Sequence, residues 1–418
     1  MPPGFHLLIA AQAMSALADN ALLIIAIALL QERGLPGWWA PLLKFGFTLS
    51  YVFLAPVVGP LADGMPKARL MVWMNGVKIA GVLMLLAGLH PVMAFAVVGF
   101  GAAAYAPAKY GLVTEIVGPS RLVAANGWIE VSVVCAVLLG TMLGGLLVAD
   151  LVRLCGASLA IQAWLALQLP SAASLLTLST LVVLGVYLLS GLLTLGVPDS
   201  GARYPACRLD AAALLRDFWR ANRTLWRDPD GGLSLAVTTI FWGVGATLQF
   251  AVLRWAADVL GLSLDRAAYL QAAVAVGVIA GAGVAGRLVG LAQAKQVLGA
   301  GVLLGLLVAA VAASPSLAVA LPLLVLVGAV GGILVVPLNA LLQHRGHELM
   351  TAGRSIAVQG FNENLSVLLM LAGYSALLAI DMPIVPLLWV FGAAIAAAIL
   401  ALIRRERCRM RGPAAAQT

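Results

Sequence analysis

Gly59-Pro60-Leu61-Ala62-Asp63-Gly64-Met65-Pro66-Lys67-Ala68-Arg69 is a short charged hinge between two apolar runs, Pro41–Val58 and Leu70–Leu89. A glycine at position 59 lets two helices approach closely in lipid. Asp63 sits just past the end of one run, and Lys67 and Arg69 then load the loop. Bases on a short loop hold it on the cytoplasmic side of a membrane, so this stretch sets the orientation expected for the whole chain.

Working outward, the composition demands a bilayer. Of 418 residues 62% are hydrophobic and 10% are charged, with 44 glycines. Apolar runs of the length that spans hydrocarbon as a helix recur along nearly the entire chain. The expected spans are 5–30, 41–62, 70–89, 92–116, 128–150 and 172–197, then 233–257, 267–291, 297–313, 317–342, 355–379 and 384–403. The fold class is therefore an all-α polytopic membrane protein with 12 spans in two six-helix bundles, 1–197 and 233–403, and both ends cytoplasmic. Paired halves of this kind build many transporters, with a substrate site near the midplane.

The net charge of +8 does not mark a nucleic-acid surface. Of the 25 bases, 17 fall in expected cytoplasmic segments and only Arg33, Arg153 and Arg266 on the opposite side. The other five, Lys44, Lys78, Lys109, Arg254 and Arg287, lie inside or at the ends of spans. That is topology bias, not a phosphate-binding face. Cys135, Cys155, Cys207 and Cys408 are scattered and suggest no pair. The N-terminus has no basic region and cleavage site of a removable signal, so the first span is expected to be retained.

Between the halves, 198–232 is the longest polar segment, and Leu209–Trp226 alternates Leu, Phe and Trp with Arg. It reads as an amphipathic helix on the cytoplasmic face; 404–418 reads as a cytoplasmic tail. The joint Leu151–Ser171, broken by Arg153, Gly156 and Pro170, reads as a short external interfacial helix. A weaker echo of the opening hinge runs from Gly286-Arg287 to Lys295.

Ionisable groups inside spans are costly and are functional candidates by default. Gln12, Ser15 and Asp19 share one face of the first span, with Asp19 roughly 21 Å along the axis at 1.5 Å per residue and Asn20 beside it. The fourth span places Tyr105 and Lys109 on one face around Pro107, which makes Lys109 the best buried cation of the first half. Glu115, Asn126 and Glu130 follow and read as a gate or charge network together with Gly59, Asp63, Lys67 and Arg69. In the second half Thr238, Trp242, Gly245 and Gln249 align, as do Gln359, Asn362, Glu363, Ser366, Met370 and Tyr374. Pro337 and Asn339 suit interhelical contact.

Three patterns carry no chemistry. Gly281-Ala-Gly283-Val-Ala-Gly286 matches a dinucleotide fingerprint but follows no strand, and reads as helix packing, as does Gly140–Gly145. His344 and His347 are placed in a short loop without further ligands, so no metal and no cofactor is expected. No nucleophile motif of a hydrolase or acyltransferase is present.

The opening stretch resembles the loop 2–3 motif of the major facilitator superfamily, G-x-L-A-D-x-x-x-[RK]-x-[RK]. Ala18-Asp19-Asn20-Ala-Leu-Leu, Ala104-Tyr-Ala-Pro-Ala-Lys109-Tyr-Gly, Leu122-Val-Ala-Ala-Asn126-Gly and Phe241-Trp-Gly-Val-Gly resemble bacterial lysophospholipid transporters. So do Val335-Val-Pro-Leu-Asn339-Ala-Leu-Leu-Gln, Ile356-Ala-Val-Gln359 and Glu363-Asn364. The resemblance implies movement of lysophosphatidylethanolamine across the bacterial inner membrane, with reacylation by an acyltransferase/acyl-carrier-protein synthetase as partner. It also implies that Asp19, Lys109 and Glu363 line the head-group path. Gln249 stands where that family is expected to carry arginine, which puts more of the phosphate binding on Lys109. The residues alone equally suit a proton-coupled exporter of drugs or amphipathic metabolites, with Asp19 or Glu363 as proton carrier, and less well a membrane lipid enzyme.

Overall fold

The computed structural model describes residues 1, 3–35, 39–168, 174–202, 204, 210–262 and 264–411. Pro170, Ser171, Arg203, Cys207, Arg208 and the chain beyond Arg411 lie outside the described residues, as do the side chains of Arg266 and Arg411.

The described chain is helical. The first run of elements is α1 (Pro3–Glu32), α2 (Trp39–Gly64), α3 (Lys67–Leu86), α4 (Pro91–Ile116), α5 (Leu122–Val148), α6 (Asp150–Arg153), α7 (Gly156–Gln168) and α8 (Thr177–Leu195). The linker contributes α9 (Ala211–Arg227). Then come α10 (Pro229–Leu260), α11 (Leu264–Leu288), α12 (Leu298–Ala312), α13 (Leu317–Leu349), α14 (Ala352–Ala379) and α15 (Ile384–Arg411). Among them 11 are long and apolar enough to cross a bilayer. The expected eleventh span corresponds to α14, whose Gln359, Asn362, Glu363 and Asn364 lower its hydropathy below the others.

Local chemistry fixes the ends. Pro91 opens α4, where its missing N–H costs nothing, and His90 Nδ1 accepts from the Val92 N–H at 3.3 Å. Asp228 caps α10, accepting from the N–H groups of Asp230 (3.2 Å) and Gly231 (2.7 Å) with Pro229 at the first helical position. Gly261, at φ 63°, ends the same helix in the left-handed conformation that glycine adopts most easily.

Two expectations need correction. His344-Arg345-Gly346-His347 lies within the last turns of α13, not in a loop. The basic tail is not separate from the last span, because α15 runs on through Arg404–Arg409. In both places the helix meets no proline or capping residue, and Leu, Arg, Glu and His keep it going.

The helices form two compact units. Unit 1 comprises Met1–Gly118, Ser132–Thr224 and Gly346–Asn364. In it α4 packs on α2 and α3, and α8 on α1 and α3, around Leu22, Ile25, Val82, Phe95, Val98 and Tyr187. Unit 2 comprises Pro119–Val131, Leu225–Arg345 and Leu365–Thr418, with α12 against α15 and α10 against α11 and α15. Its core includes Val237, Trp255, Leu304, Val308, Leu334 and Leu387. Large apolar side chains such as Phe53, Trp73, Met142 and Leu192 point outward in unit 1, as Tyr269, Leu306 and Trp389 do in unit 2, which is the inverse of a water-soluble surface.

Candidate functional site

Unit 1 encloses a polar cluster inside apolar helices. Asp19 on α1 accepts from the Lys78 ammonium of α3 at 3.0 Å (Oδ1) and 2.8 Å (Oδ2), and from the Tyr187 hydroxyl of α8 at 2.6 Å. Lys78 also donates to Ser15 at 2.9 Å, and its ammonium lies 5.3 Å from the Tyr105 ring centroid and 5.9 Å from that of Tyr187. The Lys78 side chain is 2% exposed and that of Asp19 16%, so the carboxylate is the more open end of the pair. Asn75, one helical turn before Lys78, accepts from Ser15 (3.4 Å) and donates to Ser190 (3.3 Å) and Thr194 (3.2 Å) of α8. A backbone approach makes the room: a Cβ at Gly101 of α4 would sit 2.8 Å from Lys78 Cγ.

Lys109 is therefore not the most buried cation of the first half; Lys78 is. The correction has a physical cause. A carboxylate brought in from another helix holds the Lys78 ammonium deep, where a lysine stem can otherwise snorkel. Lys109 of α4 donates to Gln12 at 3.3 Å, lies 4.1 Å from the Tyr110 ring, and shares the buried face with Tyr105. Gln12 also donates to Ser132 of α5. Asn20 turns back on its own helix, donating to the Ala16 carbonyl at 2.8 Å.

The residues grouped as a gate fall in two places. In unit 1, Gly59 brings α2 against α14, where a Cβ would be 3.0 Å from Arg354 Cα. Asp63 accepts from the Gly353 N–H at 3.0 Å and from the Thr351 hydroxyl. Lys67 is buried, 2.6 Å from Glu115 and 3.7 Å from Asp63, whereas Arg69 is exposed. Glu115 accepts in addition from Ser200 (2.5 Å) and Tyr204 (2.9 Å) of the linker, and Lys67 lies over the Tyr204 ring at 4.6 Å. Burial first, then the hydrogen bond to Glu115 and its charge, push the Tyr204 hydroxyl above its ordinary pKa. In unit 2, Asn126 and Gln343 exchange paired amide hydrogen bonds, both 2.9 Å, and Glu130 is buried on α5.

The second-half candidates are likewise split. On α14, Gln359 donates to Glu363 at 2.8 Å, and Asn362 donates to Asn222 of α9 at 2.9 Å. Asn362 therefore holds the linker helix. In unit 2, the Trp242 indole N–H is buried with no hydrogen-bond partner among the described residues. Gln249 lines an apolar cavity of about 130 Å³ together with Leu248, Val274, Val308 and Val327, and its main-chain carbonyl accepts from the Gln271 side-chain amide at 2.8 Å.

Sequence reasoning passed over Lys78, Asn75, Tyr187 and Ser190. The available signal was the i, i+3 spacing of Asn75 and Lys78 inside an apolar run. Asn222 and Gln343 carry no comparable signal. No group of His, Cys, Asp or Glu suited to a metal occurs among the described residues.

Comparison with known proteins gives the family. Residues 8–362 match the family model of the Major Facilitator Superfamily. The chain is 40% identical over 401 residues to the lysophospholipid transporter LplT of Escherichia coli O7:K1 (strain IAI39 / ExPEC), covering 96% of this chain and 95% of that one. The K12 strain protein of the same name matches to the same extent. Among solved structures, the E. coli fucose:proton symporter FucP superposes with a TM-score of 0.73 at 15% identity, covering 96% of this chain and 98% of that one. A bacterial homologue of the iron transporter ferroportin, in an outward-facing state, gives 0.71 at 16%, covering 96% and 99%. Those two show the fold alone. The folded helices and the LplT relatives agree: the chain is a transporter, not an enzyme, and belongs to the lysophospholipid transporter family of the major facilitator superfamily.

Proposed function

We propose that the chain moves lysophospholipids, chiefly lysophosphatidylethanolamine, across the bacterial inner membrane to the cytoplasmic leaflet. There an acyltransferase/acyl-carrier-protein synthetase restores the missing chain. Both termini face the cytoplasm, and the lipid enters sideways during alternating access of the two six-helix halves. The name borne by the 40%-identical relatives supports this reading, and the observation that carries it is the buried Asp19–Lys78 pair with its tyrosine and serine lining.

A zwitterion can open such a pair without stranding either member. The head-group phosphate faces Lys78 and the ethanolamine ammonium faces Asp19, so each buried charge exchanges one partner for another. A neutral sugar would leave both charges uncompensated, at several kcal/mol each. Lys109, Gln12 and Tyr105 supply further donors and an aromatic face on the same buried side of unit 1, and Gln359 and Glu363 are candidates on α14.

The test is uptake of labelled lysophosphatidylethanolamine into vesicles carrying wild-type protein or the Asp19→Asn, Lys78→Gln or Lys109→Ala variants. At equal expression each variant falls by at least about tenfold, the equivalent of ~1.4 kcal/mol. Unchanged uptake in all three removes this site. Transport that collapses with an uncoupler and ignores lysolipid competition would favour the exporter reading.

A further inference from the structure

The linker helix α9 is held in place on one side and open on the other. Leu214, Phe218, Asn222 and Leu225 recur at helical spacing and are at most 9% exposed. Leu214 and Phe218 close a small crevice against Pro56 and Gly59 of α2 and Ala357 and Val358 of α14. The Phe218 and Trp219 rings lie 5.1 and 5.6 Å from that of Phe361, and Asn362 donates to Asn222. On the outer side, Leu215 and Trp219 are each 49% exposed. Beside them Arg216, Arg220, Arg223 and Arg227 repeat at i, i+4, i+7 and i+11, which is a single stripe. Asp217 meets Arg220 at 3.2 Å, yet the Arg220 side chain remains 77% exposed.

We propose that this outer face binds the phosphate groups of anionic phospholipids at the bilayer surface, which seats the linker beside the α2–α14 crevice. Depth and chemistry both point there. The α2 residues under α9 lie four to nine positions before its end at Gly64, roughly 6–14 Å of helix. That is the head-group and upper acyl region, where an amphipathic helix rests. A soluble polyanion would be served by the arginines alone; tryptophan and leucine flanking them suit a surface that is charged above and oily below. The inference does not depend on which lipid is transported.

The experiment uses the full chain in nanodiscs of phosphatidylcholine alone or mixed with phosphatidylglycerol, with hydrogen exchange read over Ala211–Arg227. Phosphatidylglycerol slows exchange there by about fivefold or more, the effect of at least one arginine held at a charged surface. Molar salt removes the slowing. Arg220→Gln/Arg223→Gln, both on the exposed face, removes most of it without touching the packed side. Equal exchange in the two bilayers overturns the proposal, as does identical slowing in the variant or slowing that survives salt. So does slowing by inorganic phosphate in phosphatidylcholine discs with no response to phosphatidylglycerol, which would indicate a free-anion site.

Discussion

An ammonium in the middle of a span costs about 2.5–3.5 kcal/mol even on the most lenient insertion scales. Lys78 meets that cost with Asp19, Ser15 and two tyrosine rings. The arrangement makes each charge hostage to the other. Asp19→Asn or Lys78→Met alone leaves an uncompensated buried charge and is expected to destabilise by about 3–5 kcal/mol, read as a lower melting temperature in detergent. Asp19→Asn/Lys78→Met together should recover most of that stability while transport stays lost. Additive losses in the double variant would show that the two side chains are not coupled. The sequence exposed Asp19 because it is the ionisable member of a polar stripe, with Gln12 and Ser15, inside an apolar run. It could not expose the pairing, since Lys78 lies 59 residues away and the Asn75–Lys78 spacing marks a polar face without naming the helix it meets.

Helix contacts in unit 2 depend on missing side chains. A Cβ at Gly277 or Gly281 of α11 would fall on the backbone of Val325 or Ala329 of α13. Reciprocally, Gly328 and Gly332 of α13 approach the carbonyls of Val274 and Val278. Each helix thus presents a glycine pair four residues apart, and the two backbones pack with little between them. Gly281→Leu and Gly328→Leu should each lower the melting temperature and the folded yield, whereas Gly283→Ala, with open space around it, should leave both unchanged. Reading Gly281, Gly283 and Gly286 as packing residues followed from the apolar surroundings; it fits Gly281 but not Gly283, which faces open space. Which glycine meets which carbonyl is a matter of register, and periodicity along one helix does not contain it. At the start of α10 a different device operates. Burial pushes the Asp228 carboxyl up, but the Arg345 hydrogen bond and charge at 2.8 Å and the capped N–H groups outweigh it and hold it below its ordinary 3.8. A depressed carboxyl contributes its full stability well above the unfolded value of 3.8 and loses it progressively as the pH approaches and then falls below that value. Asp228→Ala should cost about 0.5–2 kcal/mol as a lost cap. Asp228→Asn, which keeps an acceptor, should cost less. The gap in melting temperature between wild type and either variant should stay constant from neutrality down to about pH 5 and then shrink.

Taken as a molecule, the chain is ordered twice. Counting spans along the sequence gives six and six, and nearly every described helix lies where its apolar run foretold. Contact groups the residues otherwise, for unit 1 recruits Gly346–Asn364 and unit 2 recruits Pro119–Val131. That second ordering was out of reach because it rests on contacts between segments distant in the chain, some of them polar. Asp63 with Gly353 is one, and Asn126 with Gln343 another; their partners look like ordinary loop or helix residues in one dimension. The linker shows the same thing at larger size, since an alternation of Arg with Leu and Trp announces an amphipathic helix but not the asparagine that receives it.

Because Asn222 and Phe218 seat α9 on α14 and α2, the covalent thread just before α9 is mechanically redundant. A protease site inserted between Tyr204 and Asp210, or two open reading frames divided there, should yield fragments that purify as one particle. The downstream fragment would be held by Phe218 beside Pro56 and Gly59 of α2 and by the hydrogen bonds of Asp63 with Gly353 and of Asn126 with Gln343. Asp63→Ala combined with Gly59→Leu, both on α2 against the Gly353–Arg354 start of α14, should weaken the join in the divided form, a result that pull-down of a tag on either fragment would read directly.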